Sequence, residues 1–234
     1  MESIYLYDLT EFSSEIIVND IETINHIKAL RLKTSEEVFV SNGKGISAKG
    51  FFLSNKNHYF FKIKEFNFKN FNENRNNLSI LISALENRER MEFAIEKSVE
   101  LGIANIFICY AQHSGKKIYK EDRVKMKILA AFQQSMRTIL PNAIFLNDLF
   151  DIFNENHYFS EVYIADIDGE NLDNLEIKKN SLIIVGPEGG LSDFELHKLK
   201  NNELTKFFKL GNTRLRAETA VISAISIFNN KLLG

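Results

Sequence analysis

The chain has no tryptophan, one cysteine and two prolines among its 234 residues. A single thiol, Cys109, excludes an intrachain disulfide, so the fold must rest on its apolar core. Cys109 lies in the apolar run of residues 106–110 and reads as a small buried hydrophobe. No apolar run approaches the ~20 residues that a membrane-spanning helix needs. The first residues show no basic-then-apolar leader, so a cytoplasmic, reducing setting is expected. The five histidines show neither H-x-x-x-H spacing nor clustering with cysteine, so no metal is expected. An excess of one charge sign is also missing. With 29 basic and 31 acidic residues the net charge is −2, which argues neither for nor against a nucleic-acid partner. What the chain does have is 44% hydrophobic residues, 20 of the total being phenylalanine. That is the composition of one large or two modest folded domains.

Charge is unevenly spread. Residues 1–74 carry net −1, residues 75–140 net +4 and residues 141–234 net −5. The basic zone includes Lys116, Lys117, Lys120, Arg123, Lys125 and Lys127. Each of these suits a solvated helix face, and together they suit a patch that steers phosphates.

Residues 1–65 read as β-rich. Runs at 15–18, 37–40, 46–52 and 58–63 are β-branched and aromatic, and Asn42-Gly43 with Gly45 marks a hairpin turn between the second and third. Asp20 can cap one short helix carrying Ile24, Ile27 and Leu30 on one face. A small β-barrel-like module follows from this. Residues 66–77 are asparagine-rich and aperiodic, a linker pattern. From Leu78 onward strands alternate with helices. Strands are expected at 78–85, 103–110, 161–165, 181–185 and 207–210, and helices at 89–101, 122–138, 192–200 and 218–229. Such alternation implies an α/β fold with a mostly parallel sheet covered on both faces.

Two glycine-bearing turns follow the fourth and fifth of these strands. The first is Gly186-Pro187-Glu188-Gly189-Gly190, ahead of a helix opened by the capping-box spacing Ser192-x-x-Glu195. The second is Gly211-Asn212-Thr213-Arg214-Leu215-Arg216, ahead of an apolar helix. Turns at the carboxyl ends of neighbouring strands build small-molecule sites in α/β folds. Pro187 and Glu188 occupy the middle of what would be a dinucleotide G-x-G-x-x-G, and no Gly-Lys-Ser/Thr completes a phosphate loop. A ligand read by backbone groups, such as an adenine or an amino-acid moiety, fits better than a pyrophosphate. Arg214 and Arg216 suit an anionic or partly anionic substrate. Glu218 and Thr219 stand in a first helical turn, where acidic and hydroxyl groups stabilise the N-terminus.

These turns, with Leu210 and the run Leu215-Arg216-Ala217-Glu218-Thr219, resemble the ribosomal RNA small subunit methyltransferase E family, and other segments in order extend the likeness over nearly the whole chain. His26 to Arg31 (H-I-K-A-L-R) looks like the family's amino-terminal H…VLR signature. Lys97 to Gly102 looks like its K-(A/T)-T-E-L-G helix. Gln133, Gln134, Ser135 and Arg137, followed by Pro141, look like its E-Q-S-x-R…P segment. The chain departs from the pattern at Gln133, where glutamate is usual, at Asn212-Thr213, where Pro-Arg is usual, and at Ala217, where threonine is usual. Arg216 keeps the family's register, and Arg214 is displaced from the usual arginine.

The resemblance implies a SPOUT-class α/β methyltransferase domain, residues 71–234, with a carboxy-terminal trefoil knot, and a smaller PUA-like β-barrel RNA-binding domain, residues 1–70. Periodicity shows no knot and by itself points to an ordinary doubly wound sheet. The resemblance further implies S-adenosyl-L-methionine as cofactor, small-subunit (16S) ribosomal RNA in an assembled 30S subunit as substrate, N3 of one uridine as target, and a homodimer with no membrane or metal partner. The implied cofactor residues are Ile164, Ala165, Val185, Gly186, Pro187, Glu188, Gly189, Gly190, Leu210, Gly211, Leu215, Arg216 and Thr219. The implied substrate contacts are His26, Arg31, Lys97, Glu100, Gln134, Ser135, Arg137 and Arg214. Arg216 leads as the catalytic residue, with Arg137 second, because a guanidinium can stabilise charge that develops on uracil as N3 loses its proton. His26 and Arg31 fit a structural cap as well as an RNA contact. Two other readings stay open from the residues: a SPOUT enzyme acting elsewhere on RNA, and a non-catalytic RNA-binding or ribosome-assembly module.

Overall fold

Two patterns of apolar residues produce two sheets of different kind. The computed structural model describes residues 1–55, 58–67, 73–74, 76–116, 118–154 and 158–233. The boundary expected after residue 70 lies outside the described residues, as do Lys117 and much of the linker expected at 66–77. The chain divides into one unit of residues 1–73 with 129–140, and a second of 74–128 with 141–234.

The first unit contains β1 (Glu2–Tyr5), β2 (Glu15–Val18), α1 (Ile21–Leu30), β3 (Glu37–Ser41), β4 (Ser47–Asn55) and β5 (His58–Asn67). They form a five-stranded sheet of order β1-β3-β4-β5-β2, antiparallel except for the β1–β3 pair. Asp20 caps α1 through the Thr23 N–H at 2.7 Å. Ile4, Leu9, Val18, Ile27, Val38, Val40, Phe52 and Phe61 make its core. β1 is not evident from residues 2–5 alone. Its parallel pairing with β3 is a tertiary contact that four residues cannot announce.

Residues 129–140 join this unit. Gly45 donates to the Thr138 carbonyl (2.8 Å) and Leu140 to the Gly43 carbonyl (2.9 Å). Tyr5 meets Phe132 edge-on at 6.0 Å. Here the structure shortens an expected helix. α3 (Glu121–Gln134) stops four residues before Thr138. Met136 turns left-handed (φ 52), the Arg137 N–H reaches back to the Phe132 carbonyl and the Met136 N–H to the Gln133 carbonyl. That is a Schellman stop, whose usual glycine is replaced by a methionine that carries no stop signal in the sequence.

The second unit holds β6 (Asn77–Ser83), α2 (Arg88–Glu100), β7 (Asn105–Cys109), β8 (Asn142–Phe145), β9 (Glu161–Asn171), β10 (Asn180–Val185), α4 (Asp193–Lys200), β11 (Thr205–Lys209) and α5 (Ala217–Leu233), with the first part of α3. Its six strands run in the order β11-β9-β10-β6-β7-β8 and every pair is parallel. β6 and β10 sit centrally and are buried almost throughout, which explains their Leu/Ile/Val runs at 80–82 and 182–185. Leu182 and Ile184 pack with Leu81, Phe107, Leu149 and Leu199. α2 and α5 bury Met91, Ala94, Ile95, Val221, Ile225 and Phe228, and Phe228 stands edge-on to Tyr163 at 4.9 Å. β8 and the long tail of β9 are not evident in the sequence.

The capping box forms as the Ser192-x-x-Glu195 spacing requires. The Glu195 carboxylate accepts from the Ser192 N–H at 2.7 Å, and the Ser192 hydroxyl accepts from the Glu195 N–H. Glu195 also accepts from the Gln112 N–H at 2.9 Å, so the start of α4 is tied to the loop after β7. Ser192→Ala is expected to lower stability by about 1 kcal/mol in urea denaturation, the usual worth of an N-cap. An unchanged midpoint would show that the cap is dispensable here.

Candidate active site

The strand order reverses between β6 and β10, and the carboxyl ends of β9, β10 and β11 lie on one side of that point. Ligands of open α/β sheets bind at such a place. A cavity of about 750 Å³ opens there, lined by residues 165–167, 185–191, 196, 210–211, 213–217 and 220. All of them belong to the second unit. The walls are mostly apolar, with Val185, Leu191, Leu196, Leu215, Ala217 and Ala220 among them.

Three local devices shape it. The turn after β10 closes through the Gly190 N–H on the Pro187 carbonyl at 2.9 Å. Gly190 takes φ 75 there, a conformation that a side chain would strain. Second, the loop after β11 swings back to the same turn, and the Arg214 guanidinium donates to the Glu188 carbonyl at 3.0 Å. Third, β9 bulges. Phe207 pairs with Ile164, yet Phe208 pairs with Glu170, so residues 165–169 leave the ladder and Ala165, Asp166 and Ile167 reach the cavity. Gly169 permits this bulge, because a Cβ there would lie 2.5 Å from the Phe208 backbone. Gly169→Ala is expected to cost about 1–3 kcal/mol of stability, the range for overpacking against atoms that cannot yield. A denaturation midpoint equal to the parent's would show that the bulge can relax.

The carboxylates around the turn have settled partners. Glu188 accepts from the Glu86 N–H at 3.3 Å, and Glu86 accepts from the Lys116 N–H at 3.2 Å. Tyr119 donates to the Leu85 carbonyl at 2.7 Å, and burial pushes its hydroxyl up to about 12. Glu218, in the first turn of α5, faces Arg90 at 3.5 Å, and its second oxygen is buried without a hydrogen-bond partner among the described residues. Cys109 is buried, with its thiol pushed up to about 12 by that burial, and is not poised as a nucleophile.

Of the cofactor residues expected from sequence, Ala165, Val185, Gly186, Pro187, Glu188, Gly189, Gly190, Leu210, Gly211, Leu215 and Arg216 all line the cavity, and so does Arg214. Ile164 lies one residue back in β9, fully buried in the core. Thr219 is exposed on the first turn of α5 and is not a lining residue. Both arginines are exposed at the cavity, and Arg216 has no side-chain partner among the described residues.

The remaining residues are placed elsewhere. Arg31 forms the left-handed C-cap of α1 (φ 54), and His26 lies on α1 with its Nε2 buried and unpartnered among the described residues. Lys97 donates to Glu100 at 2.7 Å and Glu96 at 2.9 Å, and those two bonds hold its ammonium above the ordinary lysine range. Gln134 is exposed at the end of α3, and Ser135 donates to the Ala131 carbonyl at 2.7 Å. Arg137 is 4% exposed and pairs with Glu73, itself 4% exposed, at 2.7 Å. That carboxylate also accepts from the Thr138 and Ile139 N–H groups at 2.7 and 2.8 Å. Sequence reasoning missed Asp166, Ile167, Leu191, Leu196, Thr213, Ala217 and Ala220 among the lining residues. Leu191 and Leu196 follow from the capped helix that the first turn enters, and Asp168-Gly169 is the one local sign of the bulge in residues 161–171.

Among the described residues, no group of three or more His, Cys, Asp or Glu could hold a metal ion, and no helix is long and apolar enough to cross a membrane. A family model described as RNA methyltransferase domain matches residues 72–229. The ribosomal RNA small subunit methyltransferase E of Mesomycoplasma hyopneumoniae is 30% identical over 209 residues, covering 86% of this chain and 88% of that protein. The enzyme of the same description from Rickettsia conorii is 28% identical, covering 95% and 93%. The crystal structure of a ribosomal RNA small subunit methyltransferase E from Neisseria gonorrhoeae, bound to S-adenosyl methionine, matches with a TM-score of 0.87 at 22% identity, covering 98% and 97%. At that identity the structural likeness speaks for the fold alone. The domain match and the near full-length likeness at 30% identity make this chain a member of the ribosomal RNA small subunit methyltransferase E family.

Proposed function

We propose that this chain transfers a methyl group from S-adenosyl-L-methionine to N3 of one uridine in small-subunit ribosomal RNA. The observation that carries the reading is the joining of the two glycine-bearing turns around one cavity, in a chain of this family. The cavity suits the donor in kind. Its volume falls in the range of small-molecule sites. Its apolar side chains offer contact to an adenine, and its turns offer backbone polar groups to the ribose and amino-acid portion.

When bound, the donor supplies a methyl group already activated by its sulfonium. The protein's work is then to position the base and to favour loss of its N3 proton. Arg216 performs the second part in this reading. As N3 gives up its proton, negative charge spreads to the two flanking carbonyl oxygens, and a guanidinium aimed there stabilises it most in the transition state. Arg214, tied to the Glu188 carbonyl, holds the second turn against the first and keeps the cavity walls in register.

The same reading takes the first unit as a PUA-like barrel that grips RNA, with Arg31 exposed at the end of α1 and His26 half-buried on the same helix. The last strands and α5 form the SPOUT trefoil knot, the working form is a homodimer, and the substrate is the assembled small subunit in the cytoplasm. The family likeness supports each of these. Mass-spectrometric mapping of modified uridines in ribosomal RNA from cells lacking the protein is the direct test. One N3-methyluridine should disappear, and an unchanged N3-methyluridine pattern would sink the proposal.

A further inference from the structure

Charge in the cavity is arranged with a sign at each part. The loop after β11 brings two guanidinium groups, Arg214 and Arg216. The bulge of β9 brings a carboxylate, Asp166. The other lining carboxylate, Glu188, spends an oxygen on the Glu86 N–H at 3.3 Å. Asp166 has a different bond. One of its oxygens accepts from the Asp168 N–H at 2.8 Å, a local turn that fixes the side chain on the bulge. Asp166 is half-buried, whereas Asp168 and Glu170 on the same bulge are exposed and do not line the cavity.

We infer that Asp166 is the cation-recognising residue of the methyl-donor site. The inference rests on the donor reading above and adds a specificity residue to it. S-adenosyl-L-methionine carries two positive groups, a sulfonium and an α-ammonium. A carboxylate fixed in a half-buried, mostly apolar cavity attracts such a group more strongly than a solvated one does. Arg214 lines the same cavity, so a ligand with charge of one sign would meet a like charge there. A donor with cationic and anionic ends fits both. The geometric cause is the bulge. A regular β9 would carry its ladder with β11 straight past residue 164, and Asp166 would take a register position on the strand instead of on a loop at the cavity.

The test is donor binding by titration calorimetry with the purified chain, for the parent, Asp166→Asn and Asp168→Asn. Asparagine keeps an acceptor for the Asp168 N–H, so the bulge persists while the charge goes, and a thermal melt confirms that the fold is intact. Asp166→Asn is expected to bind S-adenosyl-L-methionine about tenfold more weakly, in keeping with loss of one charge-assisted contact. S-adenosyl-L-homocysteine, which keeps the ammonium and lacks the sulfonium, identifies the group. An equal loss for both ligands assigns Asp166 to the ammonium, and a smaller loss for the homocysteine assigns it to the sulfonium. Parent-like affinity of Asp166→Asn for the methyl donor overturns the inference. An equal loss in Asp168→Asn also overturns it, because the effect would then be one of net charge alone. If the parent chain itself failed to bind the donor, the cofactor reading would be at fault and not the role of Asp166.

Discussion

Arg216→Ala is expected to bind S-adenosyl-L-methionine within a few-fold of the parent and to methylate ribosomal RNA about 10²–10³ times more slowly, the loss seen when one donor to a developing oxyanion is removed. The argument is positional. Arg216 lines the cavity, is exposed to it, and makes no side-chain pairing among the described residues that would occupy its guanidinium. Arg214 lies two residues away and differs on that point, since it donates to the Glu188 carbonyl. Arg216→Lys should recover part of the rate, because an ammonium keeps the charge but not the forked geometry. Calorimetry and a radiolabel transfer assay on the same preparations separate binding from chemistry. Parent-like rates in Arg216→Ala would remove it from the mechanism.

The second large effect is expected on stability. Arg137 and Glu73 are each 4% exposed and pair at 2.7 Å within the first unit. Removing one partner of a buried pair leaves an uncompensated charge and typically costs about 3–5 kcal/mol. Arg137→Ala should therefore unfold at much lower urea concentration. The Glu73 carboxylate left behind cannot turn to solvent without giving up the Thr138 and Ile139 N–H groups that lead the chain out of α3. The double variant Arg137→Met with Glu73→Gln should regain part of the loss, because neither charge is then buried and the amide oxygen still accepts from the Thr138 and Ile139 N–H groups. A stable Arg137→Ala that had lost only methyl transfer would give this arginine to the substrate instead. The sequence presents Arg137 as a candidate for that role. In the structure the side chain is engaged by Glu73 and is not among the residues lining the cavity.

How far the site could be read from sequence depends on how local each signal is. The two turns were legible because glycine, proline and capping residues act on their own neighbours. Gly190 adopts its positive φ in place, and Ser192 and Glu195 bond each other three residues apart. The central strands were legible for a related reason. A strand buried on both faces is apolar along most of its length, as residues 182–185 are. The stop of α3 was not legible, because a methionine takes the left-handed turn and its cost is met by bonds to residues far away in the chain. Thr138 and Arg137 are bound there by Gly45, Ser41 and Glu73.

The sequence by itself determined the class of each half of the chain, the place of the two ligand-side turns and the family likeness. Those properties are written in short-range periodicity and turn chemistry, or in the order of motifs. The tertiary structure alone decided which side chains share the cavity. It took Arg137 into a buried ion pair, set Thr219 outside the lining and brought Asp166 in through a bulge held by one glycine against Phe208. Each outcome turns on a contact between residues distant in the chain, and no local pattern encodes the partner of such a contact.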